Sequence, residues 1–595
     1  MLLLKLPLLW AAVSSTAAAL ECKCKPSESC WPSELDWSSF NNSISGRLLK
    51  TVLPASVCYK SDPQYNADQC SEVVANWTTA AFHSNNPVSL HGQQWANNSC
   101  DAVYPNGTSL GGDPLAGSRG CSLGRYPPYV VNATDAADVQ AAVKFAKRWN
   151  LRLNVKNTGH GSYRSAAPNS LSIWTHNLKG FTFHEKSTPQ CESSKKHCNG
   201  EPRMAVTIGA GEQDDDLFQA AAKHNAAVVG GTNKDVGFLG WSLGGGHGWL
   251  TSEFGNGADN YLEAKVVTPN GDLVVANENR NSDLFWALRG GGGGTVGIVV
   301  EATIKAWPMP QATVWTLSIN NKNTNCTSCW WDLMARVHSY LPDLKKGGFQ
   351  GNYYFSGPPS SEALSFFGLF FLYNKPNGTA ESLIKPLMSY LGTANETADA
   401  VSKLSWSPSW IDVYNSFPDV GGAGGSGGAT TSRLLPARSL TEDPELLART
   451  LELVGPSATR RRGGISSSSV SGSMALSSVD VDNALHPAWR EAVVHLVVSE
   501  SWRDDLPYAQ TRAVQDEVTN VLGAALRRLA PASGAYLNEA DAYEPNWADA
   551  FWGPKYPKLR AIKKKYDPNA MLWCLRCPGS EDWYEDVDGS LCRVR

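Results

Sequence analysis

The sequence predicts an α+β fold on two observations within residues 121–310: a strand–helix–strand unit near the start, and an antiparallel hairpin further on. Residues 129–131 read as a short strand. Thr134 or Asp135 then caps a helix whose Val139, Ala142, Val143, Ala146 and Trp149 share one face. Leu151, Leu153 and Val155 alternate as the next strand. Residues 261–267 and 273–276 flank Pro269-Asn270-Gly271-Asp272, a hairpin signal because Asn-Gly accepts positive φ with little strain.

Between these units, residues 171–175 and 204–210 read as strands. Residues 214–224 read as a helix with Leu217, Ala220, Ala221 and His224 on one face, and His224 is taken as a surface residue. Ser282 is the expected cap of a short helix through Leu288, and residues 296–306 form a long strand. From 311 to 525 the texture changes to aromatic-rich stretches with helical periodicity. Two segments there, 421–428 (nearly all glycine) and 460–473 (basic, then serine-rich), read as surface loops.

Composition bounds the function. With 595 residues, 42% hydrophobic and 18% charged, the chain is neither disordered, collagenous nor a coiled coil. A net charge of −4 gives no global field for nucleic acid or an anionic membrane, so the expected partner is a small molecule. After Lys5 an apolar stretch over 6–13 leads to Ala17-Ala18-Ala19, which reads as a cleaved secretory signal over 1–19. No later run reaches the roughly 18 apolar residues of a membrane helix; the densest, 363–373, reads as core.

Fourteen cysteines in an exported chain predict up to seven disulfides. Cys22, Cys24, Cys30, Cys58, Cys70, Cys100 and Cys121 make residues 20–120 a stapled, loop-rich extension. The pairs Cys326/Cys329 and Cys574/Cys577 read as disulfides rather than zinc ligands, since no nearby histidine completes a site, and no metal is expected. Eight Asn-x-Ser/Thr sequons, at Asn41, Asn76, Asn97, Asn106, Asn132, Asn325, Asn377 and Asn395, fit a secreted glycoprotein.

Two familiar motifs fail on context. Gly240-Trp-Ser242-Leu-Gly244 lacks the strand before and the helix after that a nucleophilic serine needs. Gly292-x-Gly294-x-x-Gly297 runs into a strand, so no helix N-terminus follows to hold a dinucleotide pyrophosphate. Three glycine-rich turns in one region are more informative: Asn157-Thr158-Gly159-His160-Gly161, Gly244-Gly245-Gly246-His247-Gly248, and residues 290–297. Successive glycines let backbone N–H groups form concave nests for an anion.

Those turns, with Ser170-Leu-Ser-Ile-Trp-Thr-His176, Asp283-Leu-Phe-Trp-Ala-Leu-Arg-Gly290 and Tyr536-Leu-Asn538, resemble the vanillyl-alcohol-oxidase-type flavoproteins, in particular their fungal berberine-bridge-enzyme-like branch. The resemblance covers about 124–310 and 535–595. It implies a PCMH-type two-subdomain FAD-binding module over 121–310 and an inserted α+β substrate domain over 311–525. A berberine-bridge-like segment over 526–595 would close over the flavin.

The resemblance also implies roles. His160 matches the histidine that bonds the flavin 8α-methyl, which suits an imidazole nucleophile. Asn157, Thr158, Gly159, Gly161 and Ser162 would cradle FAD beside it, as would Ser242, Gly244, Gly245, Gly246, His247 and Gly248, then Gly297, Ile298 and Asn538. Asn233 stands where relatives carry a second, cysteinyl tether, so a single link is expected. Val236 matches the valine of relatives that react with O₂. The first turn departs from the family pattern, being one residue shorter with Tyr163 where glycine is usual, and a distorted cradle follows as the expectation.

Tyr536 matches a pocket residue, and Glu539 stands where relatives carry a tyrosine base. Beside an apolar flavin face, its pKa is expected to rise so that it accepts an alcohol proton as hydride leaves for the flavin. Asp541 is the second candidate base. The resulting expectation is a secreted FAD-linked oxidase that takes hydride from an alcohol or related C–H centre of a small molecule and reduces O₂ to H₂O₂. The alternatives are an oligosaccharide oxidase, a flavin-dependent cyclase, and a secreted binding glycoprotein without activity.

Overall fold

Strand alternation and one amphipathic helix build the first layer of the protein, seen in a computed structural model that describes residues 21–189, 201–323, 326–358, 360–418, 424–425, 427–457 and 465–594. The signal segment 1–19, Asn325 and residues 458–464 lie outside the described residues. The layer is a four-stranded sheet in the order Leu48–Lys50, Tyr129–Asn132, Ser170–Trp174, Arg152–Lys156. Its last three strands are parallel. Ala136–Arg148 is the crossover helix, capped by the Asp135 side chain on the Asp138 amide, and it buries Val139, Ala142, Val143 and Ala146.

The N-terminal region contributes more than loops. Leu48–Lys50 is an edge strand of that sheet, and Cys24–Cys30, Cys58–Cys70 and Cys100–Cys121 staple the segment around it. Cys22 instead pairs with Cys592, which fastens the two ends of the chain together. Cys326–Cys329 and Cys574–Cys577 are disulfides.

A second, five-stranded antiparallel sheet follows in the order Phe181–Ser187, Arg203–Gly209, Ile298–Lys305, Tyr261–Val267, Leu273–Asn277. The predicted hairpin is there, with Gly271 alone of its turn at positive φ, +84°. Two end assignments differ. The helix Asp214–Ala222 stops before His224, which is exposed and stacks on Phe183. Asn281, at φ +46°, caps Ser282–Leu288, so Ser282 is the first helical residue rather than the cap.

Residues 312–502 hold a seven-stranded sheet ordered Ala398–Ser407, Ala312–Asn321, Ser365–Tyr373, Gln350–Ser356, Ile465–Ser473, Ala492–Trp502, Gly427–Pro436. Helices including Thr327–His338 and Pro444–Val454 cover one face, over a core of Trp315, Trp330, Phe370 and Leu447. Residues 465–473, expected as loop, are an interior strand of this sheet. The reason is steric: a Cβ at Gly472 would fall 2.0 Å from the Tyr353 ring, so small residues are what this position admits, while Val470 fills the core. Gly427 and Gly428, also expected as loop, start the edge strand Gly427–Pro436 beside Ala492–Trp502. Among the described residues no helix is long and apolar enough to cross a membrane.

Candidate active site

A cavity of about 360 Å³ lies where strand Arg152–Lys156, the turn after it, the second sheet and the C-terminal segment meet. Asn157, Thr158, Gly159, His160, Gly161, Val236, Ile298, Tyr536, Asn538 and Glu539 all line it. A second cavity of about 290 Å³ adjoins it and shares His160, Gly161, Asn538 and Glu539. Ser162 and Asp541 face this second cavity, together with Trp95, Tyr163, Thr430, Ser499 and Tyr543.

The first turn is tight because Gly159 takes φ +98°, where an added Cβ would sit 3.1 Å from Lys156 Cε and 3.2 Å from Ser89 O. It delivers His160 against two groups. Its Nε2 is 3.0 Å from Asp235 Oδ2, and its ring centroid is 3.8 Å from that of His91. Ser84 Oγ donates to the same Asp235 oxygen, and Gln213 Nε2 donates to Oδ1 at 2.9 Å. Burial opposes ionisation of Asp235, but the bonds from His160, Ser84 and Gln213 hold its carboxyl below the usual range. Burial keeps His91 neutral.

The distortion expected at Tyr163 does not arise. The shortened turn closes as a single helical turn, Ser162–Ser165, in which Tyr163 has no positive φ, and its hydroxyl donates to Leu537 O at 3.1 Å. Ser162 Oγ donates to Gly159 O and accepts from the Gly92 amide.

The second turn makes different contacts. Ser242, Gly244, Gly245, Gly246, His247 and Gly248 line neither cavity. Ser242 is buried in the helix Phe238–Leu243, its Oγ bonded to Phe238 O and Tyr261 Oη. The glycines serve close packing: a Cβ would fall 2.7 Å from Trp489 at Gly245, 2.8 Å from Trp241 at Gly246 and 1.9 Å from Gly230 O at Gly248. Gly297 likewise clears Val266 Cγ1 and does not line the cavity. The wall is formed one helix earlier, by Gly237, Leu239, Gly240 and Leu243, and across from it by Gly293 and Gly294.

At the C-terminal segment, Tyr536 is fully buried with its hydroxyl committed. It donates to Trp241 O at 3.0 Å and accepts from Asn538 Nδ2 at 2.6 Å, which makes it a scaffold residue. Asn538 Oδ1 in turn accepts from Arg164. Glu539 Oε2 is 3.0 Å from His247 Nε2 and 3.4 Å from His495 Nδ1. Burial alone raises a carboxyl, yet the two imidazoles outweigh it and pull Glu539 down to about 2, the reverse of the expected rise. Asp541 is buried, and burial pushes its pKa up; its Oδ2 makes no hydrogen bond among the described residues.

Comparison with known proteins agrees with this geometry. A family model described as an FAD binding domain matches residues 127–277, and one described as berberine and berberine like matches 535–574. The chain is 33% identical to FAD-linked oxidoreductase ZEB1 of Gibberella zeae, over 99% of this chain and 98% of the relative. It is 34% identical to the VAO-type flavoprotein oxidase VAO615 of Thermothelomyces thermophilus, over 96% and 95%. The crystal structure of the VAO-type flavoprotein MtVAO713 from Myceliophthora thermophila superposes with a TM-score of 0.87 at 32% identity, covering 97% of this chain and all of that one. The chain belongs to the VAO-type, berberine-bridge-like family of FAD-linked oxidoreductases.

The cavity of this FAD-dependent oxidoreductase fits the cofactor. An added Cβ at Gly240 would meet nothing within 4 Å and one at Gly293 nothing nearer than 3.7 Å, so bare backbone faces the cavity on both walls. Gly290, Gly292 and Gly294 have positive φ and alternate with residues that do not, the pattern of an anion-binding nest, and the last of them lines the cavity. This nest lies in the third glycine turn of the sequence.

Sequence reasoning missed Asp235, His91, Ser84, His495 and Arg164. Two of these carry a visible signal. Asp235 follows Asn233 at the spacing of an Asx turn, which the structure contains, and His495 interrupts the apolar run Ala-Val-Val-His-Leu-Val-Val. Ser84 ends the short helix Ala80–Ser84 and His91 lies in the irregular segment after it, and no periodicity marks either.

Proposed function

We propose that this FAD-linked oxidoreductase is a secreted oxidase of small alcohols or related C–H centres, with FAD held through one covalent bond from His160. One arrangement carries the reading: His160 and Glu539 line both adjoining cavities, so a tether for the cofactor and a proton-accepting carboxylate bound a common space. Bound FAD supplies hydride acceptance and electron transfer to O₂, yielding H₂O₂.

The chain's own residues divide the remaining work. Asp235 accepts a proton-bearing contact from His160 Nε2, which leaves Nδ1 as the nucleophilic nitrogen. Asn233, the position of a second tether in relatives, uses its side chain to hold the Asp235 amide, which supports a single link. Gly240 and the nest at 290–294 hold the phosphates, while Val236 lies on the cofactor wall. Glu539 is ionised at working pH and takes the substrate hydroxyl proton. Asp541, on the far wall, orients substrate rather than acting as base.

The oxidase reading is supported by Val236 and by the 34%-identical relative being named a flavoprotein oxidase. The aromatic wall of Trp95, Tyr163 and Tyr543 beside Thr430 and Ser499 suits a compact oxygenated ring, which keeps a sugar unit as the second reading. Export is supported by six disulfides among the described residues and by exposed sequon asparagines at 76, 97, 106, 377 and 395. Acid precipitation tests the tether: yellow protein in the pellet is expected, and flavin wholly in the supernatant would sink it. Oxygen uptake across neutral alcohols and cello- and xylo-oligosaccharides tests the rest, and uptake with the oligosaccharides alone would favour the second reading.

A further inference from the structure

His495 is fully buried, and neither of its ring nitrogens has a hydrogen-bond partner among the described residues. A buried polar ring left unpartnered is costly and asks for a purpose. Nδ1 points to within 3.4 Å of Glu539 Oε2, the oxygen that His247 Nε2 meets at 3.0 Å from another side. The His247 and His495 rings pack edge to face at 5.1 Å, and His247 Nδ1 is itself buried without a partner. Two imidazoles therefore converge on one carboxylate oxygen at the cavity wall.

The other groups facing the cluster are already committed. The Tyr536 hydroxyl is bonded on both sides, and burial with the Glu539 charge raises its pKa. Tyr354 is also raised, by burial and then by Glu539. Arg164 acts at one remove, through Asn538.

The chemistry of an alcohol oxidase needs a place for one proton. Oxidation of a –CH₂OH group releases a hydride equivalent and one proton, and O₂ becomes H₂O₂ by taking up that same hydride equivalent and one proton. We propose that Glu539 and His247 form a proton store, which keeps the proton released by the substrate hydroxyl and returns it when O₂ is reduced. Glu539 is the member that touches substrate; His247 holds the proton beside it, and His495, kept neutral by burial, positions the carboxylate. Glu539 and His247 share the stored proton as a coupled pair. The depressed carboxyl agrees, because the first proton held need not neutralise Glu539. The proposal rests on the oxidase reading above.

The test needs no substrate. Two-electron reduction of the holoenzyme adds negative charge to the cavity, which raises the proton affinity of a cluster on its wall. The midpoint potential, followed under nitrogen on the alkaline side of neutrality where reduced flavin itself takes up one proton, counts protons taken up per two electrons. Two are expected in the wild type and one in His247→Gln, which keeps a donor amide but cannot store a proton. Glu539→Gln, on the cavity wall where folding is least at risk, is expected to take up one as well. A wild-type count of one, or a count of two that survives in both variants, overturns the proposal. A failure to find any substrate that drives oxygen uptake would remove the oxidase reading while leaving the proton count as measured.

Discussion

Asp235 Oδ2 lies 3.0 Å from His160 Nε2 and carries a second hydrogen bond from Ser84. A carboxylate so placed fixes the neutral imidazole as the Nε2–H tautomer and puts the lone pair on Nδ1. Asp235→Asn is therefore expected to lower the fraction of flavin tethered to protein several-fold, and His160→Ala to abolish it while the fold persists. Flavin absorbance in pellet and supernatant after acid precipitation, with a circular dichroism spectrum of each variant, reads both. Full tethering in Asp235→Asn would show that His160 needs no carboxylate.

Glu539→Gln removes the charge from the cavity wall and keeps the shape. Anaerobic mixing with a substrate found by the oxygen-uptake screen should show flavin reduction slowed by about 10²–10⁴-fold, the range for loss of a general base. The dissociation constant should change only a few-fold, because the loss falls on the transition state. An unchanged reduction rate would disqualify Glu539 as the proton acceptor.

Gly240 faces open cavity, with nothing within 4 Å of an added Cβ. Gly240→Val therefore meets no protein atom at its first carbon and projects into the space assigned to FAD. The variant should fold with an unfolding temperature close to that of wild-type apoprotein and bind several-fold less FAD. Flavin-to-protein absorbance ratios after purification measure this, and wild-type loading would move FAD off that wall.

The parts of the molecule legible in its sequence are those where local pattern and tertiary demand coincide. The helix capped by Asp135 and the hairpin at Gly271 announce themselves through caps, turn chemistry and periodicity. The strand Ile465–Ser473 does not, because its Gly472 is there to clear Tyr353, and that neighbour is more than a hundred residues away in sequence. The same holds at the site. His160 and Glu539 were found through motifs, whereas His91, Ser84 and His495 join them only through folding. Gly244–Gly248 shows the opposite failure, since its glycines match a cofactor turn yet answer to Trp489, Trp241 and the Gly230 backbone.

Several buried imidazoles make the fold sensitive to mild acid. Burial lowers His83, His338 and His486 to about 4 and His495 to about 3, all from an unfolded value of 6.5. The unfolded chain therefore binds more protons than the native one once pH drops below 6.5. The stability these neutral rings contribute is fully present above 6.5 and is lost as pH falls through about 4. The unfolding temperature should drop by several degrees between pH 6.5 and 5, a window in which ordinary carboxylates remain ionised. His338, bonded to Met334 O and Tyr353 Oη inside the seven-stranded layer, lines neither cavity, nor do those partners, and it isolates the effect. His338→Gln retains hydrogen-bonding capacity but cannot charge, so calorimetric scans of this variant should show a shallower fall over the same window. An equal slope in both proteins would mean that His338 stays neutral in the unfolded chain or that other groups carry the whole acid response.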